Sequence, residues 1–181
     1  KLQEKWSTQE VEFREISGNV RMAAKDIDAL LLASPVTALN PQRHDAIAPL
    51  LKEGYFPGID DISAMSTVLF DEMKRSSQVG LQKGKYVGRD GMEHEADILT
   101  LGRFTAMYRD GKEVGFLSYT PGETAEESKL VALSVLPSGG LARDMKNYFA
   151  GKGAMVPIDI AGGESLSQLT HHLSLAEEFK L

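Results

Sequence analysis

Apolar and polar positions alternate with a period of two through residues 78–136. Asp90-Gly91 separates the run 79–89 from 93–108, Asp110-Gly111 separates that second run from 113–119, and Pro121-Gly122 opens a longer loop before 129–136. Asp-Gly is a hairpin signal, because tight turns need a positive φ that glycine reaches without steric cost. By the two-residue period, Ile98, Phe104, Ala106 and Tyr108 share one face, and Leu99, Leu101, Thr105 and Met107 share the other. Gly102 interrupts the second run, where a bulge or a close backbone approach is expected. The pattern predicts four strands in an antiparallel meander.

Before the sheet the period lengthens to heptads over residues 2–32. With Leu2 at position d, the d series is Leu2, Gln9, Ile16, Ala23 and Leu30, and the a series is Trp6, Phe13, Val20, Ile27 and Ser34. This is the seam of a coiled coil. Charged residues such as Glu4, Glu12, Arg14, Arg21 and Lys25 lie off it. Two readings stay open, a helix packed on its own domain and a helix that self-associates, and both can hold along one long helix. Leu2, Trp6, Phe13, Ile16 and Val20 are the candidate partner-binding residues. Gly18 weakens the helix by about 1 kcal/mol relative to alanine. Ser34-Pro35 ends it, because the residue before proline is pushed out of the α region.

Pro41 opens an expected second helix over 42–53, with Ile47, Leu50 and Leu51 on one face and Gly54 closing it. A third, 61–76, starts at Ile59-Asp60-Asp61 with an aspartate cap and buries Ile62, Met65, Leu69 and Met73. Beyond the sheet, helical spacing covers 141–149, a strand-like run 155–160 is interrupted by Pro157, and a last helix spans 165–179. The fold class is therefore α+β: a long coiled-coil-like N-terminal helix, a helical segment, a four-stranded antiparallel meander and C-terminal helices. Residues 1–34 form the end of the long helix and 35–181 the α+β domain.

A chain of 181 residues can bury a real core. Its net charge of −6 argues against nucleic acid as a partner, since phosphate binding needs clustered Lys and Arg. Without cysteine there are no disulfides and no thiolate metal ligands. No apolar run approaches the ~18 residues that span a bilayer, and no signal peptide is present. The chain starts inside a helical pattern, so it is expected to be an excised piece of a longer protein.

Catalytic motifs are weak. His44, His94, His171 and His172 form no i, i+4 pair, so the helical zinc motif is missing. Asp60-Asp61, Glu126-Glu127 and Glu177-Glu178 read as solvated pairs, and Ser138 lies in no nucleophile elbow. Gly84, Gly88 and Gly91, with Lys83, Lys85 and Arg89 between them, fit neither the dinucleotide nor the Walker spacing. They read as a twisted hairpin arm with a basic face. The residues predict no catalytic site, no cofactor and no metal.

Several segments fall in an order similar to that of one known family. They are Phe13-Arg14-Glu15-Ile16-Ser17-Gly18-Asn19-Val20-Arg21, then Ser34-Pro35-Val36-Thr37-Ala38 with Pro41-Gln42-Arg43, then Phe56-Pro57-Gly58-Ile59-Asp60-Asp61-Ile62 and Phe70-Asp71-Glu72-Met73-Lys74-Arg75-Ser76. Asp90-Gly91, the run Leu99-Thr100-Leu101-Gly102-Arg103-Phe104-Thr105-Ala106, Asp110-Gly111 and Ile158-Asp159 followed by Gly163 continue the order. The chain thereby resembles the N-terminal periplasmic region of extended MotA/TolQ/ExbB-family proton channel proteins, the energisers of TonB systems. It departs from the family at Asp159-Ile160, where the family has Asp-Pro, and at Val68-Leu69-Phe70, where the third helix lacks the family's Trp.

The resemblance implies the periplasmic part of an inner-membrane protein, with a coiled coil before it and the first membrane helix soon after Leu181. It implies an oligomeric parent working with an ExbD-like partner and a TonB-like protein, and no enzyme activity in this region. The domain's task is then contact, with the TonB-like protein, an accessory periplasmic protein or its own copies. A periplasmic domain that binds a small ligand between sheet and helices is the alternative reading.

Overall fold

The computed structural model describes residues 2–137, 139–153, 155, 156 and 158, with the side chains of the first helix described from Gln9 onward. Helix α1 (Leu2–Leu32) and the short α2 (Val36–Leu39) precede two 3₁₀ turns, Pro41–Ala46 and Ala48–Leu51. Helix α3 (Ile59–Ser76) leads into strands β1 (Val79–Val87), β2 (Glu93–Leu101), β3 (Thr105–Asp110), β4 (Glu113–Thr120) and β5 (Lys129–Ala132), and α4 (Gly139–Phe149) follows.

The expected four-stranded meander is replaced by a closed barrel of five strands in the order β1-β2-β3-β4-β5. Neighbours pair antiparallel, and β1 closes on β5 through a parallel pairing at Val87↔Val131. An up-and-down chain with an odd number of strands brings its first and last strands side by side in the same direction, so closure has to be parallel. The fifth strand arises because the run 93–108 breaks at Gly102, which has φ +57 and donates its N–H to the Gln78 carbonyl at 2.9 Å. Gly102 makes a turn there and not a bulge, and the close backbone approach is present, since a Cβ on it would meet the Ser76 carbonyl oxygen. Leu101 and Thr105 end up opposite each other, so even and odd positions keep their faces across the turn.

The barrel interior holds Tyr86, Ala96, Ile98, Ala106, Tyr108, Leu117, Leu130 and Ala132, with Ala38 and Leu39 of α2 packed against it. The outer face carries Leu99, Leu101, Met107, Val114 and Phe116 beneath Met145 and Phe149 of α4. Phe104, expected on one face with Ile98, Ala106 and Tyr108, sits in the turn and is exposed.

A third cluster joins Ala24, Ile27 and Leu31 of α1 to Ile47, Leu50, Met65 and Val68. The expected helix 42–53 forms as two 3₁₀ turns, closed by Ile47 N–H to the His44 carbonyl and Leu50 N–H to the Ile47 carbonyl. Pro49 lies inside that expected helix, lacks an N–H and crowds the preceding turn, so an α ladder cannot run through it. Helix α3 is capped by Gly58 and not by an aspartate, and the Asp61 carboxylate accepts the Gly58 N–H at 2.7 Å. Its inward residues are Met65, Val68 and Glu72, while Ile62 and Met73, expected inside, face out. Met155, Val156 and Ile158 lie in no strand; the rest of the run 155–160, the expected helix 165–179, Ser138, His171 and His172 fall outside the described residues.

The Tyr119 hydroxyl donates to the Leu32 carbonyl at 2.6 Å, and the Thr37 hydroxyl to the Leu31 carbonyl at 2.6 Å, fixing the end of α1 to the barrel and to α2. Cooperative folding of 35–181 alone would give a sharp melt for a chain starting at Val36. The packing predicts otherwise. Without α1, the buried Ile47, Leu50 and Met65 lose the side chains that cover them, and we expect a broad thermal transition by circular dichroism.

Candidate functional site

From Ser17 onward the seam of α1 turns into the domain: Ser17, Ala24, Ile27 and Leu31 are buried, and Val20 packs against the same cluster. The packed positions follow a and e of the heptad, and the d residues Ala23 and Leu30 are exposed. The expected a/d seam is thus rotated along its inner half. A straight helix of 3.6 residues per turn drifts by about 20° per heptad against a strict seven-residue repeat, and here no supercoiled partner corrects the drift.

N-terminal to Ser17 the stripe opens to solvent, with Phe13 56% and Ile16 57% exposed. The structure brings these two candidate residues together on one exposed face of α1, which they share with Gln9, Glu10 and Glu12. Leu2 and Trp6 continue the helix backbone, and their side chains lie outside those described. Phe56 joins the patch, with its ring 6.1 Å from that of Phe13 and 64% of its surface exposed. The Arg21 guanidinium donates to the Tyr55 carbonyl at 3.2 Å and holds this loop beside the helix. In the sequence Phe56-Pro57-Gly58 reads only as a turn; an aromatic in an exposed turn is the signal that marks it.

A second, polar cleft of about 610 Å³ lies at one end of the barrel, lined by Tyr86, Gly88, Arg89, Asp90, His94, Tyr108, Asp110 and Glu113. The Asp-Gly turns place it, because each turn carries charged residues to the barrel's edge. Tyr86 and Tyr108 stack with centroids 4.5 Å apart. The Tyr108 hydroxyl donates to Glu113 at 2.7 Å and the Tyr86 hydroxyl to Asp110 at 3.4 Å. Arg89 donates to the second Glu113 oxygen at 2.7 Å, and the His94 ring contacts the Asp90 carboxylate at 2.9 Å. The Met92 backbone N–H, then His94, hold the Asp90 carboxyl below its usual range. Donors and acceptors here answer one another, so the cluster rivets the hairpin ends together. Among the described residues no group of three or more His, Cys, Asp or Glu side chains could hold a metal ion. Elsewhere the half-buried His44 Nδ1 lies 2.8 Å from Asp28 and ties the first 3₁₀ turn to α1.

Burial, and then the charges of Asp110 and Glu113, push the Tyr86 phenol up to about 12. Burial, and then the bond to Glu113, push the Tyr108 phenol up as well. A phenol whose pKa is raised on folding stabilises the fold fully below its unfolded pKa of about 10, and this stability is lost as pH rises through the folded value. The urea midpoint is therefore expected to fall between pH 10 and about 12, and to fall less in Tyr86→Phe.

Comparison with protein-family models, with curated proteins and with solved structures finds no match to this chain. No helix among the described residues is long and apolar enough to cross a membrane.

Proposed function

We propose that this chain is a non-enzymatic interaction module that docks through the outer half of α1. One observation carries the reading: a stripe of α1 is buried in its own domain from Ser17 to Leu31, while Phe13 continues it into solvent with Ile16 beside it and Phe56 widens the exposed patch. Burying one such side chain contributes about 1.5–3 kcal/mol, so a partner covering all three gains a substantial driving force. The partner that the seam pattern fits is a second helix of the same kind.

The collinear order of sequence segments supports a finer form of the proposal. The module belongs to the periplasmic part of an ExbB/TolQ-like inner-membrane proton channel that energises TonB-dependent transport. It contacts its own copies, a TonB-like protein or an accessory periplasmic protein, and an ExbD-like protein works with the parent's membrane part.

Equilibrium sedimentation of the chain and of a Phe13→Glu/Ile16→Glu double variant tests the docking surface. We expect weak, concentration-dependent association that the double variant abolishes at unchanged helix content. If both species stay monomeric at millimolar concentration, the seam is no self-association surface. The finer form is tested separately, by a periplasm-dependent phosphatase reporter fused after Leu181 in the parent. An inactive reporter removes the energy-transducer reading and leaves the helix surface untouched.

A further inference from the structure

The first half of β1 inverts the usual alternation. An antiparallel strand with one solvated face points apolar side chains inward and polar ones outward. Here the inward positions, opposite Thr100, Ile98 and Ala96, are Gly80, Gln82 and Gly84. A Cβ at Gly84 would meet Leu39 and Ile98, so the inner side is already filled. The outward positions are Val79 and Leu81, in register with Leu101 and Leu99. Residues opposite each other on antiparallel strands share a face. Leu99 and Leu101 are 3% and 7% exposed beneath α4, whereas Val79 and Leu81, one strand away, are 59% and 55% exposed. Neighbouring strands lie about 4.8 Å apart, so the apolar outer face runs on past the strip that α4 covers.

The chain itself passes this place. Gly151 takes φ +69, and the N–H groups of Lys152 and Gly153 donate to the Asn147 carbonyl at 2.8 and 3.1 Å, which turns the chain back at the end of α4. Val156 then packs against the cluster that holds Leu99 and Leu101. Beyond the last described residue, Ile158, the sequence supplies an amphipathic stretch. Leu166, Leu169, Leu173 and Ala176 fall on one side of a helix by their spacing, and Ser167, His171, Ser174 and Glu178 fall on the other. Residues 159–164 separate it from Ile158. Six residues reach at most about 20 Å when extended, several strand spacings.

We propose that the outer face of β1 is the docking site of this chain's own segment 165–179, which lies there as a helix beside α4 with Leu166, Leu169 and Leu173 over Val79 and Leu81. A sheet face is covered by helices that bury an apolar stripe against it, and α4 alone leaves the β1 end of this face open. The tether favours this occupant over a second copy, because a short linker holds a segment at roughly millimolar effective concentration. The other exposed apolar stripe, Phe70 and Met73 of α3 at 70% and 66% exposure, lies on the helical layer, whose buried cluster Val156 does not join. This contact is separate from the outer half of α1 and does not depend on it.

The chain has no cysteine, so one introduced thiol reports on one position. The test measures maleimide labelling of the native full chain carrying Leu81→Cys, Val79→Cys or Phe70→Cys, each rate divided by its rate in urea. We expect the two β1 thiols to react about tenfold or more slowly than the α3 thiol, the factor that burial of one apolar side chain supplies. Adding Leu169→Glu/Leu173→Glu is expected to bring both β1 thiols up to the α3 rate and to leave the α3 thiol unchanged. Where the glutamates unfold the chain, Leu169→Ser/Leu173→Ser takes their place. Equal rates at all three positions in the otherwise unchanged chain overturn the proposal, as does a slow α3 thiol beside fast β1 thiols. Protection of the β1 thiols that the leucine substitutions do not relieve overturns it too. Protection that grows with protein concentration overturns it in favour of a second copy.

Discussion

Replacing Glu72 with alanine is expected to destabilise the fold by about 3–5 kcal/mol, because it leaves a buried guanidinium without its buried charge partner and with only the more distant, half-exposed Asp71. Arg43 Nη2 lies 2.5 Å from Glu72 Oε2, and each side chain is only 5% exposed. The Ser76 hydroxyl donates to the other Glu72 oxygen at 2.8 Å, and Asp71 stands 3.5 Å from Arg43 Nε. This pair joins the first 3₁₀ turn, which proline leaves without an α ladder, to the inward face of α3. Arg43→Ala strands the carboxylate instead and is expected to cost a similar amount. Exchanging both residues for Met and Leu is expected to be far milder, since desolvation of the pair offsets much of its attraction. Urea unfolding of the two single variants and the double variant decides this; a loss under 1 kcal/mol for both single variants would mean that the pair is not buried as described.

The same pair sets an acid limb of stability. Burial pushes the Glu72 carboxyl up, but hydrogen bonds from Arg43 and Ser76 outweigh it and hold the pKa below the ordinary 4.5. A carboxylate lowered on folding stabilises the protein above its unfolded pKa, and that contribution is lost as pH falls through the folded value. Wild type is therefore expected to lose stability as pH falls below about 4.5, with a smaller slope in Glu72→Gln.

Local chemistry was legible, and long-range closure was not. The helix over 2–32 and the face assignments of Ile98, Ala106, Tyr108, Leu99, Leu101 and Met107 follow from periodicity, which each residue carries with its neighbours, whereas the buried stripe of α1 runs along a and e and not along the expected a and d. The buried pair did not, because Glu72 among charged neighbours on an exposed-looking helix reads as solvated, and its partner lies across a loop. The barrel did not either. Its closure rests on Val87 meeting Val131, and neither residue carries a sign of the other. Pro49 could have broken the helix expected over 42–53, and its N–H deficit was the available signal. The candidate surface divides the same way: Phe13 and Ile16 are visible in the heptad, whereas Phe56 joins them only once tertiary packing is known.

Gly102 is where the sheet reading failed, and it carries the other large effect. Its φ of +57 costs any L side chain, and a Cβ built there meets the Ser76 carbonyl oxygen at 2.1 Å. That oxygen belongs to the last turn of α3, so backbone must move at the junction where the helix enters β1. We expect Gly102→Ala to cost about 3–4 kcal/mol, the left-handed strain plus displacement of that turn. Gly111 separates the two contributions. It has the same φ of +57, in the turn between β3 and β4, but a Cβ there meets nothing within 4 Å. Gly111→Ala should therefore show strain alone, about 1–2 kcal/mol. The difference between the two variants, read from urea midpoints at a common m value, measures how tightly α3 is seated against the β2–β3 turn. Equal losses would mean that the helix end yields without cost and that the turn, not its contact with α3, is all that Gly102 protects.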